Sequence, residues 1–123
     1  MAHLTWQELG AVQCMDVLRQ SSVTRAAFFD GESPYVIPLA FRLDADGAAP
    51  LIRLCMPDHG RKVQALCVCD RVCLEFELPG CAWVDVALLE GTAALDAWEK
   101  DEGIALHVRA DKLSGRRFFL PQE

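Results

Sequence analysis

The chain has 123 residues, a hydrophobic fraction of 52% and a net charge of -6 from 12 basic and 18 acidic residues. That length fits one domain, residues 1–123, and at this size folding buries roughly two-thirds of the unfolded surface, enough for one real core. The sign of the charge disfavours non-specific binding to nucleic acid or anionic membranes. No apolar run nears the ~20 residues a membrane helix needs.

The opening Met1-Ala2-His3-Leu4-Thr5-Trp6 carries no basic segment followed by an apolar one, so no secretory signal is expected. Thr5-Trp6-Gln7-Glu8 fits a capping box and predicts a helix running to about Gln20. Its inward face would be Val12, Met15 and Leu18, with Asp16 and Arg19 in water. Val23 to Phe29, β-branched and aromatic, predicts a strand. Asp30-Gly31-Glu32-Ser33-Pro34 is turn chemistry. A second strand follows from Tyr35 to Arg42, with Tyr35, Ile37, Leu39 and Phe41 on one face and Val36, Pro38, Ala40 and Arg42 on the other. Pro38 lacks an N–H, so this strand is either an edge there or has a ligand beside it.

Asp44-Ala45-Asp46-Gly47 reads as a turn and Leu51 to Met56 as the return strand. Pro57-Asp58-His59-Gly60-Arg61-Lys62 opens a helix over Lys62 to Cys69, with Val63, Leu66 and Cys67 inward. Arg71 to Leu78 alternates as a strand, with Val72, Leu74, Phe76 and Leu78 facing the core. Ala82 to Leu95 is a long strand with a bulge or bend at Gly91. Asp96 to Gly103 is a polar connection, Ile104 to Arg109 a last strand, and Asp111 to Gln122 a tail that turns at Ser114-Gly115. Six strands and one or two short helices predict a mainly β chain, an antiparallel barrel closed or half closed.

Cys14, Cys55, Cys67, Cys69, Cys73 and Cys81 are many for this length. With no secretory signal, free thiols in a reducing cytoplasm are expected rather than a disulfide framework. Cys67-x-Cys69-x3-Cys73 lacks the paired knuckles of structural zinc, so no metal site is expected. There is no G-x-S-x-G elbow, H-E-x-x-H or phosphate-binding loop of the GK[ST] kind, which removes the common hydrolase and kinase readings.

Arg61 and Lys62 carry the functional signal. Two cations at the start of a helix oppose the helix dipole, which prefers anions there. On a solvated face that cost is tolerable, and many basic pairs end so. With a phosphate present, helix N–H groups and both cations converge on one anion. Local sequence leaves the two readings balanced.

Four segments, in order, resemble a known family. Tyr35-Val36-Ile37-Pro38-Leu39-Ala40-Phe41 resembles a Y-V-V-P-V-N-F strand, and Gly60-Arg61-Lys62 with Leu66 a G-R-K helix start. Asp70-Arg71-Val72-Cys73-Leu74-Glu75-Phe76 resembles a P-R-V-C-F-E strand, and Leu113-Ser114-Gly115-Arg116-Arg117 a closing T-G-K-R segment. These belong to the FMN-binding split barrels related to pyridoxamine 5'-phosphate oxidase, in the nitroimidazole-resistance-like branch. The resemblance implies a six-stranded Greek-key split barrel and a homodimer with FMN at the subunit interface. It implies that Arg61 and Lys62 hold the phosphate. Val36, Ile37, Pro38, Leu39 and Phe41 would run along the flavin ring, and Leu54, Cys55 and Met56 would line the ribityl path. Trp83 would lie near the dimer seam, where it is the best placed of Trp6, Trp83 and Trp98 to stack on a ring; most tryptophans are core or interface anchors instead. His59 and His107 read as a loop and a strand residue without a catalytic part.

Departures stand beside the match. Cys55, Met56 and Pro57 replace an H-S-A preceding the G-R-K loop, and Ala40 replaces an asparagine. The expected function is a small FMN-dependent oxidoreductase of unspecified substrate. The alternatives are a flavin-binding or electron-carrier protein with no organic substrate, and a split barrel that has lost FMN or binds haem or a deazaflavin.

Overall fold

The computed structural model describes residues 5–45, 49–56, 60–95 and 104–121. The predicted Asp96–Gly103 link, Asp46-Gly47 and Pro57-Asp58-His59, with Trp98, lie outside the described residues.

Among the described residues eight antiparallel strands form one curled sheet, with two helices. The six long strands are those the alternation predicts: β2 (Val23–Phe29), β3 (Pro34–Ala40), β5 (Leu51–Met56), β6 (Arg71–Pro79), β7 (Trp83–Leu95) and β8 (Ile104–Phe119). Two three-residue strands, β1 (Trp6–Glu8) and β4 (Arg42–Asp44), bring the count to eight. The order is β3-β2-β6-β7-β8-β5-β4, with β1 added on β8.

The second predicted strand is broken at Phe41. Before it, β3 pairs with β2; after it, β4 pairs with β5. One stretch of chain therefore supplies both ends of the sheet and draws it towards closure. Phe41 marks the change of partner and meets Phe76 edge-on, ring centroids 4.9 Å apart. Along Pro34–Ala40 the sheet order gives β3 one neighbour, the edge position that Pro38 suits.

The core is built from one face of each strand. Leu74, Phe76, Leu89, Leu106, Val108, Ile52 and Leu54 are almost fully buried. Helix α1 (Ala11–Gln20) adds Cys14, Val17 and Leu18 to this core. Burial pushes the Cys14 thiol up, so it acts as a small apolar side chain.

Three expectations are corrected. Thr5 does not cap a helix: Trp6 to Glu8 pairs with Phe118 to Arg116, and the Leu9 N–H donates to the Gly115 carbonyl. The helix starts after Gly10, whose N–H donates to Gln13 Oε1 at 2.9 Å. Of the expected inward face, Leu18 is buried and Met15 packs on the core, whereas Val12 is 75% exposed; Cys14 and Val17 complete the buried side. Cys67, on α2 (Arg61–Val68), is likewise exposed, while Ala65 takes the buried position.

The third correction is at Ser114-Gly115, which does not turn. β8 runs unbroken for 16 residues because it has partners on both edges, β7 along one and β5 then β1 along the other. Gly115 answers a close approach instead: a Cβ there would stand 2.7 Å from Cys14 Sγ. The expected bulge at Gly91 is present as a register shift between Glu90 and Gly91.

Candidate functional site

Helix α2 opens at Gly60, whose φ of 104° lies in the region glycine adopts without strain. Among the described residues no side chain caps it and no acidic residue stands in its first turn. Its first intrahelical donor is the Gln64 N–H, which donates to the Gly60 carbonyl. The amides before it have no intrahelical acceptor, and a helix start of this kind favours an anion.

The adjacent cations are treated differently. Arg61 is tied to the β2–β3 turn: its Nε and one terminal nitrogen donate to Asp30 Oδ2 at 3.3 and 3.2 Å. The same terminal nitrogen donates to Ser33 Oγ at 3.2 Å. The guanidinium carbon stands 4.1 Å from the centroid of the Tyr35 ring, which is stacked in turn on Phe28. Asp30 is held from the other side, its Oδ1 accepting the Glu32 and Ser33 N–H groups at 3.0 Å each. The Ser33 and Glu32 N–H groups, and then Arg61, hold the Asp30 carboxyl below its ordinary range. Burial pushes the Tyr35 phenol up, and its buried Oη has no hydrogen-bond partner among the described residues. Lys62, half-buried, has no ion-pair or hydrogen-bond partner among the described residues.

Beside this corner runs the single-sided strand β3. Its outward row is Val36, Pro38 and Ala40, with Val36 60% exposed. This is an apolar strip along an edge whose backbone groups are unused on one side. Ile37, Leu39 and Phe41 point the other way and pack on the core. Leu54 and Met56 are buried in it at 1% and 3% exposure, so of these predicted site residues a ligand outside the barrel would meet the backbone. The Cys55 side chain lies outside the description.

Trp83 is elsewhere. It opens β7 opposite Phe119, beside the β6–β7 turn, with the Arg117 guanidinium 4.6 Å from its ring centroid. Arg117 in turn grips the buried Asp85 with two bonds of 2.7 and 3.0 Å. Ala27 pairs with Cys73, so the β2–β3 turn that holds Arg61 lies at the start of β6. Trp83 lies past its end, Val84 pairing with Pro79. The strand between spans about 26 Å at the usual rise per residue. One chain does not bring Trp83 and Arg61 together.

The outer face of β7 and β8 holds a second feature, an open groove of about 610 Å³. Its floor includes Val86, Leu88 and Phe118, and its walls Glu90, Lys112 and Arg116. Lys112 lies 3.8 Å from Glu90, and Arg116 stacks on Trp6. Leu88 is 38% exposed there.

Sequence reasoning found Arg61 and Lys62 but missed the part of Asp30, Ser33 and the Tyr35 ring. Asp30-Gly31-Glu32-Ser33 was legible as a turn; that its carboxylate reaches a helix start 31 residues on was not. Cys14, Cys67, Cys69, Cys73 and Cys81 form no disulfide among the described residues. No helix among those residues is long and apolar enough to cross a membrane.

No protein-family model matches the chain, and no curated protein matches it in sequence. Solved structures do match in fold. A candidate 5-nitroimidazole antibiotic resistance protein from Bacteroides thetaiotaomicron superposes with a TM-score of 0.85 at 17% identity, covering 99% of this chain and 93% of that one. An FAD-binding protein from Mycobacterium smegmatis gives 0.76 at 18% identity, over 93% and 99%. A candidate pyridoxamine 5'-phosphate oxidase from Corynebacterium glutamicum gives 0.70 at 14%, over 99% of both chains. The fold is thus the split barrel of these proteins.

Proposed function

We propose that this chain is a flavin-binding protein that takes FMN, with the phosphate at the start of α2 and the ring along the outer edge of β3. The observation that carries this reading is the meeting of three things at one corner, each taken among the described residues: helix amides with no side-chain cap, Lys62 without a partner, and an apolar strand with a sheet neighbour on one side alone. The fit to a flavin phosphate is direct. Among the described residues a Cβ built at Gly60 meets nothing within 4 Å. Val36, Pro38 and Ala40 offer an apolar surface to a planar ring, and the backbone of β3 offers donors and acceptors to its polar edge. Lys62 supplies the charge for the phosphate, and β3 orients the ring and shields one face from water.

When bound, a flavin supplies hydride and single-electron transfer, and the protein sets its orientation and electronics. Two structural neighbours are named FAD-binding proteins, which supports a flavin and makes FAD in the same place the second reading. Val36, Pro38 and Ala40 carry no acid or base, so a proton for a bound flavin would have to come from elsewhere.

The pocket is read as shared by two copies. A flavin held at the start of α2 and also stacked on Trp83 needs a second chain, because one chain holds these two places at opposite ends of β6. The groove over β7 and β8, with Leu88 exposed between charged walls, is the surface assigned to that seam.

The test is the visible spectrum of protein purified without added cofactor, then again after adding FMN or FAD. A flavin band that co-purifies or is retained supports the reading. Changing Arg61 and Lys62 together to alanine should abolish retention while the protein stays folded. Unchanged retention in that variant would refute the phosphate assignment.

A further inference from the structure

We infer that the two adjacent cations have separate tasks: Lys62 is the residue that binds the ligand's anion, and Arg61 is a positioning residue clasped by Asp30 that sets where the start of α2 stands. This rests on the flavin-site reading and divides the labour within it.

The argument is one of donor counting. A guanidinium has five N–H groups, and its strength towards phosphate lies in presenting two of them as a fork. Here the fork is committed. The Nε edge and one terminal nitrogen are spent on Asp30 Oδ2, and that same nitrogen also serves Ser33 Oγ. The second terminal nitrogen alone is left, and the charge of Arg61 is already matched by Asp30. Moving Arg61 onto a phosphate would strip Asp30 of its charged partner and lift the guanidinium from the Tyr35 ring. Among the described residues Lys62 has no partner to give up for its three donors.

Asp30 is itself fixed. Its other oxygen receives two backbone N–H groups of its own turn, and the Asp30 N–H donates to the Ser33 carbonyl at 3.4 Å. The β2–β3 turn is thus a rigid bracket, and Arg61 is the bolt between it and α2. The arrangement ties the first turn of α2 to the β2–β3 turn and to the Tyr35 ring. A phosphate there would meet Lys62 and the helix dipoles, with Arg61 already engaged by Asp30.

The experiment uses the full chain and two probes, FMN and riboflavin, which differ only by the phosphate. Affinities are read from quenching of flavin fluorescence and stability from thermal melting. Lys62→Gln should weaken FMN about tenfold or more, the scale of one charge-assisted hydrogen bond. It should leave riboflavin affinity and melting temperature unchanged and flatten the salt dependence of FMN binding. Lys62→Arg should retain FMN.

Arg61→Gln and Asp30→Asn should each lower the melting temperature, and the double variant should be no worse than the poorer single one. Their loss of FMN affinity should be smaller than that of Lys62→Gln, and Arg61→Lys should not restore melting, since an ammonium has no fork. An Arg61→Gln variant that melts normally yet loses as much FMN as Lys62→Gln would overturn the division. So would an Asp30→Asn variant that binds FMN more tightly, which would make Asp30 a competitor for the site. Wild-type binding with unaffected Lys62→Gln sinks the division alone. Wild type that takes neither flavin sinks the site itself and the task given to Lys62, while the melting cycle still decides the clasp.

Discussion

Asp30 and Gly60 govern how the start of α2 is set. Folding makes Asp30 more acidic, first through the N–H groups of Ser33 and Glu32 and then through Arg61. A carboxyl acidified by folding adds stability above the ordinary carboxylate range and loses it as pH falls through the folded-state value. The melting temperature of the wild type should therefore exceed that of Asp30→Asn at neutral pH, with the gap closing below about pH 4. A constant gap across that range would deny the carboxylate this part. Gly60 holds a positive φ with open space around its missing side chain. Gly60→Ala should cost roughly 1–3 kcal/mol in backbone strain, as read by denaturant unfolding. At this scale Gly60-Arg61-Lys62 was legible because all its signals are local. The Asp30 clasp was not, because its two halves are distant in the chain and each half reads as ordinary turn or surface chemistry.

Strands were far more legible than helix starts or ends. β2 and β5 fall on the residues that β-branching and alternation indicate, and the bulge at Gly91 follows from a glycine inside a long strand. The failures share a cause. Thr5 to Glu8 has a good capping pattern, and Ser114-Gly115 a good turn pattern, but each segment found a strand partner, and tertiary pairing outweighed local preference. The two segments in fact pair around each other, Glu8 opposite Arg116. Gly91 has a second constraint that sequence does not reveal: a Cβ there would lie 2.2 Å from the Arg109 carbonyl oxygen. Gly91→Ala should destabilise the β7–β8 ladder by about 2 kcal/mol or more, seen as a lower unfolding midpoint. A near-neutral result would show that the ladder tolerates a shifted bulge.

For the whole molecule, the curled sheet leaves two unlike surfaces outside the barrel: the corner of α2 and β3, and the groove over β7 and β8. In the proposed pair of chains these become parts of one pocket. Leu88→Lys, a charge placed on the floor of the groove, should shift the protein from dimer to monomer in sedimentation and weaken flavin binding with it. A wild type that sediments as a monomer at all concentrations would remove the shared pocket. The fold was legible from sequence because alternation, turns and the order of segments all agree. The ligand was only partly so, because Leu54 and Met56, named with Cys55 for the ribityl path, turned their side chains into the core.

Titration of the full chain with FMN, followed by flavin fluorescence alongside riboflavin, probes the claim on which these readings depend. The account predicts saturable binding in which FMN is held more tightly than riboflavin, with an advantage that shrinks as salt rises. Equal affinities for the two, or no binding of either at any concentration tried, would contradict it.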